Sequence, residues 1–154
     1  MNTSTTDRIE KQILIKAPRK RVWRALTDTG EFGAWFRVKI SGKFAPGQAI
    51  SGPVQYPGYE HIIWNVTVEK MEPERFFSWR WHPHAIDPTK DYSHEPSTLV
   101  AFELEEVPQG TLLKVTESGF DRIPLERREQ AYRGNTEGWE AQVDNIESYV
   151  RQHP

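Results

Sequence analysis

The sequence predicts an α+β fold in which a curved antiparallel sheet wraps around a long C-terminal helix. Residues 9–119 contain short segments of alternating apolar side chains separated by Pro- and Gly-containing turns, which is the pattern of half-buried strands. Leu125, Tyr132, Trp139 and Ile146 then recur every seven residues, so a long helix would have one apolar face. A run of strands followed by a helix favours α+β over an alternating parallel sheet.

The first strand is followed by two predicted short helices. Residues 9–16 are predicted to form the strand. Ile9, Ile13 and Ile15 are separated by even numbers of residues, so their side chains would lie on the same face of it. Pro18 suits the first position of a helix over residues 19–27, since its missing N–H would be unpaired there in any case. Asp28 is suited to cap the second helix, which covers residues 28–36.

Further strands and one long irregular segment precede the final helix. Pro108-Gln109-Gly110 forms the turn of a clear hairpin. Residues 82–97 are interpreted as a possible lid loop with His82, His84 and His94, because a loop of this length is commonly functional. The further strands are predicted over residues 38–41, 48–54, 60–70, 75–81, 98–107 and 111–119.

Length and composition indicate one domain. The chain has 154 residues, of which 36% are apolar and 27% charged, as in ordinary soluble globular domains. We expect residues 1–8 to be a flexible N-terminal tail and residues 9–152 to form a single domain. Gly134-Asn135 is a possible break in its final helix, since glycine disfavours a helix interior.

Charge and cysteine content exclude several function classes. The formal net charge is −2, with 20 basic and 22 acidic residues, so we predict no nucleic-acid partner. The chain has no Cys, which excludes disulfides and thiolate metal sites. The sequence has neither a membrane span nor an apolar signal segment, and we predict a cytoplasmic protein.

Several stretches carry a resemblance to a known superfamily. They are I-x-A-P-x-x-x-V-W-x-A-L-T-D at 15–28, F-x-x-W at 32–35, P-E-R-F-F-S-W-R-W at 73–81, and T-E-S-G-F at 116–120 with G-W at 138–139. Their order and spacing resemble the START-like, or SRPBCC, superfamily, in particular the branch similar to the activator of the heat-shock-protein-90 ATPase. The resemblance covers most of the chain and implies the helix-grip (START-like, Bet v-like) fold, with a cavity between the sheet and the C-terminal helix. This fold supports many functions.

The implied cavity and the aromatic composition predict an apolar ligand. The chain has six Trp and 12% aromatic residues, and aromatic side chains line many apolar pockets. We therefore expect a protein that binds a hydrophobic or aromatic small molecule without a cofactor; in the alternative, the rings fill the space completely. The predicted cavity-lining side chains are Trp64, Phe77, Trp79, Trp81, Phe102, Val115, Glu117, Trp139 and Val143.

Glu117 shares the parity of Leu113 and Val115, so it is predicted to point into the core. A carboxylate there is costly unless it is paired or its pKa rises. It would meet a buried donor, lie in a wet pocket, or be turned outward by a bulge near Gly119. As a pocket residue it would orient a ligand or act as a general base, and Glu117→Gln would then change ligand affinity more than stability.

Two other functions remain open. The resemblance implies a co-chaperone-like protein-interaction domain, although the eukaryotic activator has a further N-terminal domain for which this chain has no room. A cyclase- or aromatase-like enzyme would use the same cavity, with Glu117 and a loop histidine as candidates, but no catalytic residue is assigned because the chain lacks a G-x-S-x-G elbow. His82, His84, Asp87 and His94 have metal-ligating side chains, yet we predict no metal because no supporting second shell is visible.

Overall fold

A computed structural model describes residues 7–87 and 89–154 of the chain. This part of the chain forms six strands, three α-helices and one short 3-10 helix. The strands are β1 (Arg8–Ile15), β2 (Ala49–Pro53), β3 (Ile63–Glu72), β4 (Phe76–Trp81), β5 (Thr98–Val107) and β6 (Gly110–Ser118). The helices are α1 (Arg19–Thr27), α2 (Thr29–Phe36), the 3-10 helix (Phe120–Arg122) and α3 (Leu125–Gln152).

The six strands form one antiparallel sheet in the order β1-β6-β5-β4-β3-β2. Its register places Trp81 opposite Thr98, and Val100 opposite both Trp79 and Glu117. Because side chains alternate between the faces of a sheet, these residues share one face. The structure confirms the predicted helix-grip α+β fold, with α3 against that face of the curved sheet.

Local sequence explains how the two short helices begin and end. Pro18 is the N-cap of α1 rather than its first helical residue, one position from the prediction. The Asp28 carboxylate accepts a hydrogen bond from the Glu31 backbone N–H at 3.0 Å, and so caps α2 as predicted. Arg37 then adopts a left-handed conformation and ends α2.

Aromatic rings fill the centre of the space between the sheet and α3. The Trp79 ring centroid lies 5.2 Å from that of Phe102, 6.4 Å from that of Trp139 and 5.7 Å from that of Phe32. These are the separations of packed aromatic pairs. Burial of each such side chain stabilises the fold by roughly 1.5–3 kcal/mol, so this layer fixes α3 on the sheet.

Some predicted boundaries differ from the structure. Residues 38–41 were predicted as a strand, but they contribute only the isolated bridge between Val38 and Val54. The helix α3 is continuous through Gly134-Asn135. Leu125, predicted to belong to its apolar stripe, is 76% exposed because it is the first residue of the helix.

The N-terminal prediction is covered only in part. Residues 1–6 of the predicted tail lie outside the described residues, and Arg8 is already the first residue of β1. Within residues 7–87 and 89–154, no helix has both the length and the apolar composition that crossing a membrane requires.

Candidate functional site

An open cleft of about 550 Å³ lies between β3, the end of β4 and the 82–97 segment. We name it the tryptophan cleft, because Trp64 of β3 and Trp81 of β4 belong to its wall. Further members of its wall are His84, Ile86, Lys90 and Tyr92. The cleft therefore combines flat aromatic surface with a few polar groups, as small-molecule sites commonly do.

Exposed aliphatic side chains extend the apolar surface of the cleft. Ile63 and Ile86 belong to its lining and are 59% and 42% exposed. Leu14 and Leu125 are also exposed, but they lie on other parts of the surface. The two isoleucines therefore add apolar area that a bound molecule would cover.

The wall of the tryptophan cleft includes two of the nine residues predicted to line a cavity. Trp64 and Trp81 line the cleft, whereas the other seven are buried in the core beneath α3. The rings of Trp79, Phe102 and Trp139 pack against one another in that core, and the cleft lies at the edge of this aromatic layer. The seven core residues are Phe77, Trp79, Phe102, Val115, Glu117, Trp139 and Val143.

The Glu117 carboxylate is 0% exposed and accepts hydrogen bonds from four side chains. Its Oε1 accepts from Trp139 Nε1 at 2.8 Å and from Asn135 Nδ2 at 2.9 Å. Its Oε2 accepts from Trp81 Nε1 at 2.7 Å and from Thr98 Oγ1 at 2.5 Å. Of the three outcomes considered for this residue, the structure shows the one in which buried donors meet the carboxylate.

This arrangement occupies the hydrogen-bonding capacity of Glu117. A carboxylate has about four acceptor sites, and each oxygen here has at least two donors, since Asn135 Nδ2 also lies 3.2 Å from Oε2. Burial raises the pKa of Glu117, while the hydrogen bonds from its donors act in the opposite direction. Because Trp81 also lines the cleft, its indole ring connects the cleft wall to the buried carboxylate.

Two of these donors were missed in the sequence, although a signal for each was present. Thr98 has the same parity as Val100 and lies opposite Trp81 in the sheet, so alternation turns it inward. Asn135 precedes Trp139 by four residues and therefore lies on the same face of α3.

His84 is seated against α3 by two unusual backbone features. Its φ is 54°, in the left-handed region that few non-glycine residues adopt. Its ring lies over Gly134, where an added Cβ would be 2.9 Å from His84 Nδ1. The ring belongs to the lining of the tryptophan cleft and also to that of a shallower depression on α3.

One ring nitrogen of His84 has no hydrogen-bond partner among the described residues. This atom, Nε2, is buried. Burial lowers the pKa of the His84 imidazole, and the Arg127 cation lowers it further. The imidazole is therefore neutral near neutral pH.

Arg127 attaches the 82–97 segment to α3. Its Nε donates to Glu95 Oε1 at 2.7 Å, and its Nη1 donates to the Pro83 carbonyl oxygen at 2.8 Å. Its guanidinium also lies 4.7 Å from the Tyr92 ring centroid. The hydrogen bond from Arg127 is the main cause that lowers the pKa of Glu95, so the Glu95 carboxyl is ionised beside the guanidinium.

The three predicted lid histidines occupy different environments. His82 Nε2 lies 3.0 Å from the Glu95 carbonyl oxygen, whereas His94 is exposed and lies beside Asp91. His82 and His84 both belong to the lining of the tryptophan cleft, whereas His94 is outside it. Among the described residues, no group of three His, Asp or Glu side chains is placed to hold a metal ion.

The fold is similar to those of several solved structures. Protein MLL2253 from Mesorhizobium loti has a TM-score of 0.76 and 24% identity, over 96% of this chain and 98% of that one. The Aha1 dimer from Colwellia psychrerythraea has a TM-score of 0.68 and 20% identity, over 93% and 95%. DynU16, a protein in the dynemicin biosynthetic locus, has a TM-score of 0.72 and 21% identity, over 94% of this chain and 47% of that one. At these identities the likeness shows the fold alone.

Sequence comparison assigns the family. Among curated proteins, none matches this chain. A family model described as activator of Hsp90 ATPase homolog 1-like protein matches residues 16–151. This span includes Glu117, its four donors and the residues of the tryptophan cleft. The chain therefore belongs to the AHSA1 family and is an AHSA-type START-like domain.

Proposed function

We propose that the protein binds a small molecule with a flat apolar part in the tryptophan cleft. The observation that carries this proposal is the wall itself, in which Trp64, Trp81 and Tyr92 surround an open space of about 550 Å³. A space of this size accommodates a small ring system. The ligand is thus placed at the edge of the aromatic core rather than within it.

The energetics of the wall support an aromatic or otherwise flat ligand. Trp64 is only 5% exposed and contributes little surface to the wall, whereas Trp81 is half-buried and contributes more. Aromatic groups gain from stacked or edge-to-face contact in addition to the area they bury. The Trp81 indole is also held by its bond to Glu117, so this part of the wall is ordered before a ligand arrives and costs little entropy on binding.

The similarity in fold to DynU16 supports a role in small-molecule metabolism. That protein belongs to the dynemicin biosynthetic locus, and in this chain the same fold carries an open cleft of about 550 Å³. A cyclase-like reaction is the finer alternative within this class. Since both Glu117 oxygens already have at least two donors, a general base would have to come from the cleft wall instead.

Fluorescence titration with 1-anilinonaphthalene-8-sulfonate tests the proposed cleft. In the double variant Ile63→Ser/Ile86→Ser, two exposed contacts are removed with little effect on the core. We expect a dissociation constant at least about tenfold higher than in the unchanged protein, because each lost aliphatic contact weakens binding.

The matched control is Leu14→Ser/Leu125→Ser, which removes two exposed leucines outside the cleft. It should bind the probe like the unchanged protein. Equal affinity in both double variants would place the bound probe elsewhere and refute the cleft as its site.

A protein-interaction role is the second candidate, favoured by the exposed Ile63 and Ile86 at the cleft and by the family's description. A co-chaperone would present such apolar side chains to a partner. A pull-down with the middle domain of Hsp90 tests it. Capture that is lost in Ile63→Ser/Ile86→Ser and kept in Leu14→Ser/Leu125→Ser would support this role, and no capture would exclude it.

A further inference from the structure

We infer that the ligand of the tryptophan cleft is a flat aromatic molecule that carries an ammonium group. The inference rests on the proposed binding function of this cleft and adds the charge and hydrogen-bonding class of its ligand. It is carried by the acceptors, the charges and the open ring face that Trp81 and the 82–97 segment contribute to the wall.

His82 contributes a hydrogen-bond acceptor. Its ring belongs to the cleft lining, and its Nε2 lies 3.0 Å from the carbonyl oxygen of Glu95, which is outside that lining. Because a carbonyl oxygen only accepts, Nε2 carries the proton in the neutral ring and Nδ1 is left as an acceptor. Nδ1 has no hydrogen-bond partner among the described residues and is not an enclosed atom. A ligand group that pairs with this imidazole must therefore be a donor.

Asp87 and Asp91 add negative charge to the same lining. Asp87 Oδ1 accepts from the Thr89 hydroxyl at 2.7 Å, and Asp91 Oδ1 accepts from the Ser93 backbone N–H at 2.9 Å. These hydrogen bonds lower the pKa of both carboxyls, so both are ionised at neutral pH. The charged form of His82 also lowers the pKa of Asp91, which means that the two side chains interact. An ammonium group bonded to His82 would therefore also be attracted by Asp91.

The cations beside the cleft already have a carboxylate and a ring as partners. Lys90 Nζ lies 3.6 Å from Glu95 Oε2 and 5.2 Å from the centroid of the Tyr92 ring. Arg127 donates to the same carboxylate and lies over the same ring. Glu95 and the two aspartates thus give three negative charges against two positive ones. The net charge on this side of the cleft is negative and favours a cation.

The open ring face of Trp81 suits the same ligand. Cations are attracted to aromatic faces, and most strongly to that of an indole. The Tyr92 ring already has the Arg127 guanidinium 4.7 Å from its centroid, whereas no cation of the described residues lies over Trp81. Trp81 Nε1 also donates to Glu117 at 2.7 Å, and this bond polarises the indole toward a more negative ring face. A flat cation would therefore stack on Trp81.

Equilibrium dialysis with 2-(aminomethyl)naphthalene and 2-(hydroxymethyl)naphthalene tests the inference, because the two probes have the same ring and length and both can donate. They differ in charge at about pH 8, where the amine is protonated and an ordinary imidazole is neutral. The unchanged protein should bind the amine roughly tenfold more tightly, which is the difference between a charged and a neutral hydrogen bond.

In the double variant Asp87→Asn/Asp91→Asn this preference should fall to about twofold or less. Asparagine keeps an oxygen that accepts from Thr89 and Ser93, so the turns of the segment are retained. The matched control is Glu103→Gln/Glu105→Gln, which removes two charges from exposed positions of β5 outside the cleft and should keep the preference. Salt gives a second measurement that needs no variant. Raising NaCl from about 0.02 to 0.5 M should at least halve the preference of the unchanged protein, because exposed carboxylates are screened.

The outcomes separate the two proposals. Equal binding of both probes to the unchanged protein, or a preference that persists in Asp87→Asn/Asp91→Asn, would overturn the inference and leave the cleft as a binding site. A preference that is insensitive to salt would also overturn it. Failure of the unchanged protein to bind either probe would overturn both proposals. A preference that falls in the aspartate variant and in salt, but persists in the control, would support the inference.

Discussion

Glu117 is held by uncharged donors from three different elements. Trp81 comes from β4, Thr98 from β5, and Asn135 and Trp139 from α3. A buried carboxylate with these partners connects the sheet to the helix through hydrogen bonds whose loss would leave several donors unpaired. The pattern of alternation predicts an effect of Glu117→Gln mainly on ligand affinity, whereas the observed geometry favours an effect mainly on stability.

We predict that Glu117→Gln lowers the free energy of unfolding by about 1–3 kcal/mol. The new amide has its own N–H groups, which would face the donors of Trp81, Trp139 or Asn135. Urea denaturation measures the change. Glu103→Gln, on an exposed position of β5, is the control and should change stability by less than about 0.5 kcal/mol.

The contribution of Glu117 should also depend on pH. Because burial raises its pKa in the folded state, its contribution to stability is complete below the ordinary pKa of the carboxyl and is lost as pH rises through the folded value. The stability advantage of the unchanged protein over Glu117→Gln should therefore shrink as the pH rises from the ordinary carboxyl pKa through the raised pKa of Glu117 in the folded state. An advantage that grows with pH would mean that the fold prefers the ionised carboxylate.

At the scale of elements, Arg127 determines how the 82–97 segment lies on α3. Its guanidinium joins the Glu95 carboxylate, the Pro83 carbonyl oxygen and the Tyr92 ring. The Arg127 and Glu95 side chains are 10% and 11% exposed, so this ion pair is shielded from water in a way that surface pairs are not. Arg127 therefore fixes three points of the segment, and one of them, Tyr92, belongs to the wall of the tryptophan cleft.

We predict that Arg127→Met destabilises the fold by about 2–3 kcal/mol, because the largely buried Glu95 carboxylate loses its nearer cation and keeps only Lys90, whose Nζ lies 3.6 Å from Oε2. Backbone amides of residues 89–95 should exchange with deuterium faster, and this is measured by mass spectrometry. Arg133→Met removes an exposed ion pair with Glu129 on the same helix and should cost less than about 0.5 kcal/mol. Unchanged exchange in Arg127→Met would show that the segment is held by other contacts.

At the scale of the whole molecule, the regular elements were predictable because their patterns are local. Alternation in residues 98–107 and 111–119 identified the hairpin and turned Glu117 inward, as the structure confirms. The seven-residue recurrence through Trp139 and Ile146 identified the apolar face of α3. Leu125 fits the same recurrence, but it lies at the start of the helix, where the sheet does not cover it. Periodicity alone could therefore not distinguish this exposed leucine from the buried members of the stripe.

The site was less predictable because it depends on contacts between distant residues. The sequence indicates Gly134 and Asn135 as a possible helix break. In the structure, Gly134 leaves room for the His84 ring and Asn135 donates a hydrogen bond to Glu117. Arg127 and Glu95 are 32 residues apart in sequence, and no local pattern relates them. The position of the open space followed from how the rings packed, which composition alone could not determine.

The central claim is that the tryptophan cleft is the ligand site, and the indole N–H signals of the six tryptophans test it most directly. In a ¹H–¹⁵N NMR titration with 2-naphthol, we predict the largest shifts for Trp64 and Trp81, which line the cleft. The signals of Trp23 and Trp35 should move little. Absence of any shift, or larger shifts at Trp23 and Trp35 than at the two cleft residues, would contradict the claim.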